Sequence, residues 1–180
     1  MTRVEAPHHD FDILAHGLDV VFCGINPPPE TVRSGLSFAN PANRFWRAMH
    51  LAGFTGAQLN AENGRQLLQY RCGLTAVVDR PTRRAQEVPA SEFRRARPSF
   101  EAKIRAYDPG VVAFLGKRAL SGMLGGPDIA WGRQADAFAG RTAWVIPNPS
   151  GLNRSFSLEA LVRAYSELHL FITRSAFPNR

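Results

Sequence analysis

The sequence predicts an α/β fold with a mostly parallel sheet covered by helices on both faces, and three observations carry that prediction. Four short apolar runs, "VVFCGI", "GLTAVV", "GVVAFLG" and "TAWVI", recur along the chain. Near-continuous apolar runs of that length suit strands buried on both faces. Stretches with helical spacing separate them, and that alternation is what builds parallel sheets. Extended loops follow the runs after Ile25, Val78 and Ile146, the edge at which ligands bind in open α/β sheets.

Taken in order, residues 1–17 read as a mobile lead-in to a single domain spanning 18–180, with His8 and His9 as solvated tail. The first strand is Val20–Ile25, and the Pro-rich segment "NPPPETVRSGLSFANP" after it reads as a loop. A helix follows in "ANRFWRAMHLAGF", with Phe45, Trp46 and Met49 on one face, Leu51 as a candidate addition to it, and Gly53 as its stop. A second helix is expected in "AENGRQLLQYR", weakened by Gly64. The second strand covers 73–79 and ends on Asp79. The pattern over 90–107 is helical, with Pro98 expected to break or restart it. The third strand, 110–116, leads into a short helix from Lys117. The fourth is Thr142–Ile146. The last helix, about Ser157–Thr173, carries Leu158, Leu161, Val162, Tyr165, Leu168 and Ile172 on one face.

Bulk properties narrow the function. At 180 residues the chain suits one domain with a real core. It carries 22 Lys and Arg against 15 Asp and Glu, a net charge of +7. That excess favours a polyanionic partner, and its bias to Arg suits phosphate contact and base stacking. The two cysteines, Cys23 and Cys72, are too few for a four-thiolate metal site and form no disulfide framework. A reducing, cytoplasmic and nucleoid-associated setting is therefore expected. No apolar run approaches the ~18 residues of a membrane span. "GVVAFLGKRA" fails as a phosphate-binding loop, because five residues separate its glycines and Arg118 follows Lys117. The zinc-binding His-Glu motif and the Gly-x-Ser-x-Gly elbow are both missing from the sequence. No cofactor or metal is expected.

Two loops stand out because they match. "GINPPPE" and "IPNPSGLNRS" each place Asn-Pro just beyond a strand. An Asn amide can hold a water or read a base edge, and the proline behind it limits its backbone; Asn26 and Asn148 could equally form turns. In the second loop Leu152 sits beside Arg154, as in side chains that wedge into a base stack, or else Leu152 staples the next helix. Phe38 could stack on a base or close the core beside Phe45 and Trp46. Asp79, at the active edge beside Arg80, could help to position water or could be a structural carboxylate. Lys117, Arg83 and Arg84 are candidate phosphate contacts or solvated surface.

Together, "VVFCGINP", "FANPANRFWRAMHLAGFT", "LLQYRCGLTAVVDRPT", "LGKRA" and "WVIPNPSGLNRSFSLEALVRAYSEL" resemble the mismatch-specific uracil-DNA glycosylases and their thymine-DNA glycosylase relatives. The resemblance runs in order from about residue 18 to 170. It implies a three-layer α/β/α sandwich and a monofunctional DNA glycosylase of base excision repair. Such an enzyme flips uracil, thymine or a modified pyrimidine out from opposite guanine and hydrolyses its N-glycosidic bond.

By the same resemblance Asn26 positions the attacking water. Ile25, Thr31, Phe38 and Asn148 bind the base, and Phe38 stacks on it. Gly151, Leu152 and Arg154 form the wedge at the opposite guanine. Ser150, Lys117 and Arg83 are the expected phosphate contacts, and Asp79 is a second catalytic candidate. The expected partner is double-stranded DNA with a G·U or G·T mismatch, bound by a monomer. The chain departs from the family pattern in two places. Pro28 and Pro29 replace a Gly and a small residue, and the segment after "GLNR" is about one residue longer. Three rivals are weighed against this reading: a noncatalytic mismatch-binding or abasic-DNA-binding module, a glycosylase for hypoxanthine or etheno adducts, and a small-molecule hydrolase.

Overall fold

A computed structural model describes residues 9–126 and 128–175; residues 1–8 of the expected lead-in, His8 among them, lie outside the described residues. The elements run β1 (Val20–Gly24), α1 (Pro29–Ser34), α2 (Phe45–Leu51), a 3₁₀ segment (Gly64–Tyr70), β2 (Cys72–Ala76) and a 3₁₀ turn (Ala85–Glu87). They continue as α3 (Ala90–Tyr107), β3 (Val111–Leu115), α4 (Arg118–Met123), β4 (Gly132–Arg133), β5 (Thr142–Ile146) and α5 (Leu158–Arg174). The strands form a five-stranded sheet in the order β2-β1-β3-β5-β4. Every neighbouring pair is parallel except β4 with β5.

The period-two alternation of buried strands divides the core into two layers. Val20, Phe22, Leu74, Ala113 and Ile146 face one way and pack with Phe45 and Met49 of α2 and Leu161, Tyr165 and Leu168 of α5. Val21, Cys23, Val112, Phe114 and Val145 face the other way, against Phe93, Phe100 and Ile104 of α3 and Leu120 and Met123 of α4. The result is the expected α/β/α sandwich. From β1 the chain moves to β2 on one side and returns to β3 on the other, so the strand order reverses between the parallel β1 and β3, where the loops beyond the strand tips leave a crevice.

Three local expectations are corrected. The Pro-rich loop contains a helix, α1, because Pro29 stands at its first turn, where a missing N–H costs nothing; Gly35 closes it at φ 71°. Pro98 does not break α3, which is continuous over Ala90–Tyr107. Both Pro98 and Arg94 are exposed, so the Arg94 carbonyl, which loses its helical partner at Pro98, lies on the side of α3 where solvent can satisfy it. The expected second helix is a 3₁₀ segment over Gly64–Tyr70. A Cβ on Gly64 would come within 2.6 Å of Trp46, so that glycine is required by close packing.

The largest correction concerns residues 9–17. Phe11, Asp12 and Ile13 are buried, and Ile13 exchanges two 2.8 Å backbone hydrogen bonds with Leu74 of the edge strand β2. The Asp12 carboxylate accepts from Thr75 Oγ1 at 2.7 Å, from the His9 N–H at 3.0 Å and from Lys103 Nζ at 3.1 Å. This segment covers an otherwise open sheet edge and fixes a buried ion pair. Its two apolar anchors were too few to show a period.

Candidate active site

Asn26 sits two residues beyond β1, just before the three prolines begin. Its Nδ2 donates to the Arg80 carbonyl at 2.9 Å and to Thr82 Oγ1 at 2.7 Å. Thr82 in turn donates its hydroxyl hydrogen to the Arg84 carbonyl at 2.7 Å. A carbonyl can only accept, and a hydroxyl whose hydrogen is committed can only accept, so both partners require the NH₂ side of the amide. Asn26 Oδ1 is thereby left as the unengaged acceptor. Among the described residues it has no protein partner, and it is not one of the buried unpartnered atoms, so solvent reaches it.

Asn26 lines a cavity of about 490 Å³ at the crevice between the β1 and β3 tips. Of the residues expected from the sequence, Ile25, Thr31, Phe38, Arg83, Asn148 and Ser150 line the same cavity. Leu115 at the end of β3, and Ile25 and Asn148 just beyond β1 and β5, line it together with Thr31 from α1 and Phe38 from the segment between α1 and α2. Thr31 is buried, and its hydroxyl donates to the Leu36 carbonyl at 3.1 Å.

Phe38 both closes the core and borders the cavity. Its ring packs on Phe45 with centroids 4.5 Å apart, and the residue also lines the cavity. Its backbone sits at φ 57°, a conformation that costs a bulky L residue about 1–2 kcal/mol. The surrounding packing holds that strain, a pattern found at ligand-contacting positions.

Asn148 is more heavily committed than an isolated base-reading amide. Its Oδ1 accepts from the Ser150 N–H at 2.9 Å and its Nδ2 donates to the Leu115 carbonyl at 3.3 Å. The second Nδ2 hydrogen has no acceptor among the described residues, which leaves one donor for a ligand. The loop beyond it is tightly tied. Asn153 Nδ2 donates to the Asn148 carbonyl at 2.9 Å, and Ser150 Oγ accepts from the Leu152 N–H at 3.2 Å.

Leu152 does not pack inward. It is 78% exposed, the most exposed large apolar side chain among the described residues. Arg154 beside it is also exposed. Gly151 has a steric cause, because a Cβ there would lie 2.6 Å from the Ala42 carbonyl oxygen. Gly151, Leu152 and Arg154 thus form a ridge outside the cavity, directly after its lining residue Ser150. Lys117 also lies outside the cavity, with Nζ 4.8 Å from the Trp131 ring.

Asp79 is not brought to the cavity: β2 stops at Ala76, short of the expected strand end, and Asp79 follows the buried Val77 and Val78 beyond it. Its side chain is 59% exposed and pairs with His9 Nε2 at 2.8 Å, which also corrects the reading of His9 as tail. Arg80 pairs instead with Glu92 at 2.8 Å, and that contact raises the Arg80 pKa and lowers that of Glu92. The carboxylate that does line the cavity is Glu30, on the first turn of α1 and bonded to Arg33.

Two contributors were not foreseen. Thr82 orients the Asn26 amide across 56 positions of sequence. Arg44 reaches across to the carbonyls of Pro149, Ser150, Asn153 and Phe156. Neither carries a sequence signal, since each acts on groups that only the fold brings near.

Comparison with known proteins agrees with this geometry. Residues 11–169 match the family model described as the Uracil DNA glycosylase superfamily. Among solved structures, the chain is similar to a Methanosarcina acetivorans protein that carries a provisional uracil DNA glycosylase designation. That likeness has a TM-score of 0.57 at 21% identity, covering 88% of this chain and 95% of the other. At that identity it bears on the fold.

Proposed function

The chain belongs to the uracil DNA glycosylase superfamily and is a DNA glycosylase, and we propose that it removes uracil mispaired with guanine in duplex DNA, as the mismatch-specific members do. Thymine and modified pyrimidines in the same context are its secondary substrates. The observation that carries the proposal is the tethered Asn26 amide, whose Oδ1 is the open acceptor on the cavity wall.

The chemistry follows from that placement. The C1′–N1 bond breaks with its electron pair leaving on the base, so charge builds as a cationic sugar and an anionic pyrimidine. A water hydrogen-bonded to Asn26 Oδ1 attacks C1′ with its oxygen, and as the new C–O bond forms its proton passes through surrounding water to the departed pyrimidine anion, leaving a sugar hydroxyl and the neutral free base. An amide is no base at neutral pH, so its contribution is orientation. Because Arg80 and Thr82 fix the amide beforehand, that orientation is in place before the base arrives. The leaving anion is met by donors on the cavity wall, for which the second Nδ2 hydrogen of Asn148 is suited. Phe38 supplies an apolar face for the flipped base, and Arg83 and Ser150 meet the adjoining phosphates.

The mismatch preference rests on the ridge. In the proposed mechanism the exposed Leu152 enters the stack as the base leaves and the exposed Arg154 meets the opposite strand, and a mispaired base costs least to extrude. The test is single-turnover base release from a G·U duplex by wild type, Asn26→Ala, Asp79→Ala and Glu30→Gln. The expected result is a loss of about a hundredfold for Asn26→Ala and little change for the two carboxylate variants. A collapse confined to either carboxylate variant would move catalysis to that residue. Tight duplex binding without release by wild type would favour a noncatalytic binding module.

A further inference from the structure

We propose that Arg44 is the positioning residue that makes the 149–156 loop a rigid insert, and that activity on duplex DNA, unlike activity on single strands, depends on it. The inference rests on the glycosylase reading and deepens it by assigning the duplex preference to a residue outside the base cavity.

Arg44 immediately precedes α2. Its backbone N–H donates to the Pro149 carbonyl at 3.0 Å, and its Nε donates to the same oxygen at 3.3 Å. Its Nη2 donates to the Ser150 and Asn153 carbonyls, both at 2.9 Å, and its Nη1 to the Phe156 carbonyl. One guanidinium thus gathers four carbonyls from a loop that starts beyond β5 and ends at Ser157, the N-cap of α5. A connecting loop ordinarily leaves such carbonyls to water. Here they converge on one charge, and the exposed Leu152 projects from the middle of the same loop.

A second observation, independent of Arg44's hydrogen bonds, says the loop is docked. Gly151 approaches Ala42 so closely that an added Cβ would meet the Ala42 carbonyl oxygen at 2.6 Å and the Ala42 Cβ at 2.7 Å. The segment that carries Arg44 is therefore also the surface on which the loop rests. Among the described residues Arg44 has no carboxylate partner, so its charge is held by carbonyl dipoles alone. Lysine could not replace it, because an ammonium on a flexible stem lacks the planar fork that reaches several acceptors in fixed directions.

The functional consequence follows from when the loop is ordered. A wedge inserts into the stack at the moment a base leaves, and a loop already rigid loses little entropy on insertion. A single strand has no complementary stack to fill, so it gains nothing from the wedge. Loosening the loop should therefore slow release from duplex DNA more than release from a single strand, which loses only what the loop's cavity residue Ser150 contributes.

The experiment compares single-turnover release from a G·U duplex and from the same uracil strand unpaired. The proteins are wild type, Arg44→Met, Arg44→Lys, Leu152→Ala and Arg44→Met combined with Leu152→Ala, and amide hydrogen exchange is followed over 149–157. Expected for Arg44→Met is a loss of about tenfold or more on the duplex against less than about threefold on the single strand. Exchange should quicken over 149–157 while β1, β3 and β5 keep their protection. Adding Arg44→Met to Leu152→Ala should cost less than about threefold more on the duplex, because both act through one element. Equal losses on the two substrates, full additivity with Leu152→Ala, or an unchanged duplex rate would overturn the proposal. If Arg44→Met does not fold, Arg44→Lys carries the same comparison. Wild type that releases uracil from neither DNA would instead overturn the glycosylase reading itself.

Discussion

Asn26 Nδ2 lies 2.7 Å from Thr82 Oγ1, and that hydroxyl, having donated to the Arg84 carbonyl, can only accept. The pair sets the direction of the amide, and so decides which end of Asn26 faces the cavity. Thr82→Val keeps the shape, removes the acceptor and leaves Asn26 held by the Arg80 carbonyl alone. Single-turnover base release is expected to fall by about tenfold, the rate equivalent of one net hydrogen bond. Thr82→Ser restores the hydroxyl and should stay within about twofold of wild type. Equal losses for Val and Ser would show that Thr82 acts through packing rather than through its oxygen.

Gly151→Ala tests the docking of the ridge from the other side. The new methyl would meet backbone at Ala42, which cannot swing away as a side chain would. The loop must lift, and overpacking of this kind costs about 1–3 kcal/mol. Duplex base release should drop by about tenfold or more while release from a single strand changes little. A variant with wild-type activity on both substrates would mean that the loop accommodates the methyl without moving Leu152.

Much of the fold was legible because its strands are buried on both faces. "VVFCG" and "VVAFL" can hardly be anything but central strands, and α5 announced itself through the spacing of Leu161, Tyr165 and Leu168. α1 was hidden because three prolines and a glycine read as a loop, although Pro29 suits a first helical turn. The two-residue β4 is too short to carry a period. The cavity was legible where its residues sit at strand ends, as Asn26 and Asn148 do. Asp79 was expected at a strand end too, but β2 stops at Ala76, and the Asp79 carboxylate pairs with His9 instead of lining the cavity. Arg44 and Thr82 were invisible because their partners are distant carbonyls and an amide, groups that leave no trace in composition or spacing.

The buried ion pair between Asp12 and Lys103 ties the N-terminal segment to α3. The two side chains are 0% and 6% exposed, and Thr75 completes the carboxylate's partners. Asp12→Ala would strand the Lys103 ammonium without an anion, and breaking such a pair costs about 3–5 kcal/mol. Urea denaturation should show a loss of that size. Substituting both residues together, Asp12→Ala with Lys103→Met, should recover part of it, since no charge is then left buried and unpaired. A double variant no more stable than Asp12→Ala would place the cost in Thr75 and the His9 N–H rather than in the unpaired charge.

The cysteines give the fold a dependence on alkaline pH whose sign is fixed by burial. Desolvation pushes the Cys72 thiol from its ordinary 9.0 up to about 12, and pushes Cys23 higher still. In the unfolded chain both thiols ionise near the ordinary value, while in the folded chain they keep their protons. Above that value the native state therefore binds more protons than the unfolded state, so stability falls as pH rises. The contribution is fully present below pH 9.0 and is lost progressively as pH climbs through about 12 for Cys72. Each thiol adds a slope of up to about 1.4 kcal/mol per pH unit in that window. Tyr165, raised by burial and donating to the Pro147 carbonyl, acts with the same sign above its ordinary 10.0. Urea midpoints measured between about pH 8 and pH 11 should decline less steeply in Cys72→Ala than in wild type, whatever the variant loses in packing. Parallel curves would mean that Cys72 is reached by water in the native state. At neutral pH both thiols should resist alkylation until the protein is unfolded, because neither the thiolate nor the access that the reaction needs is available in the core.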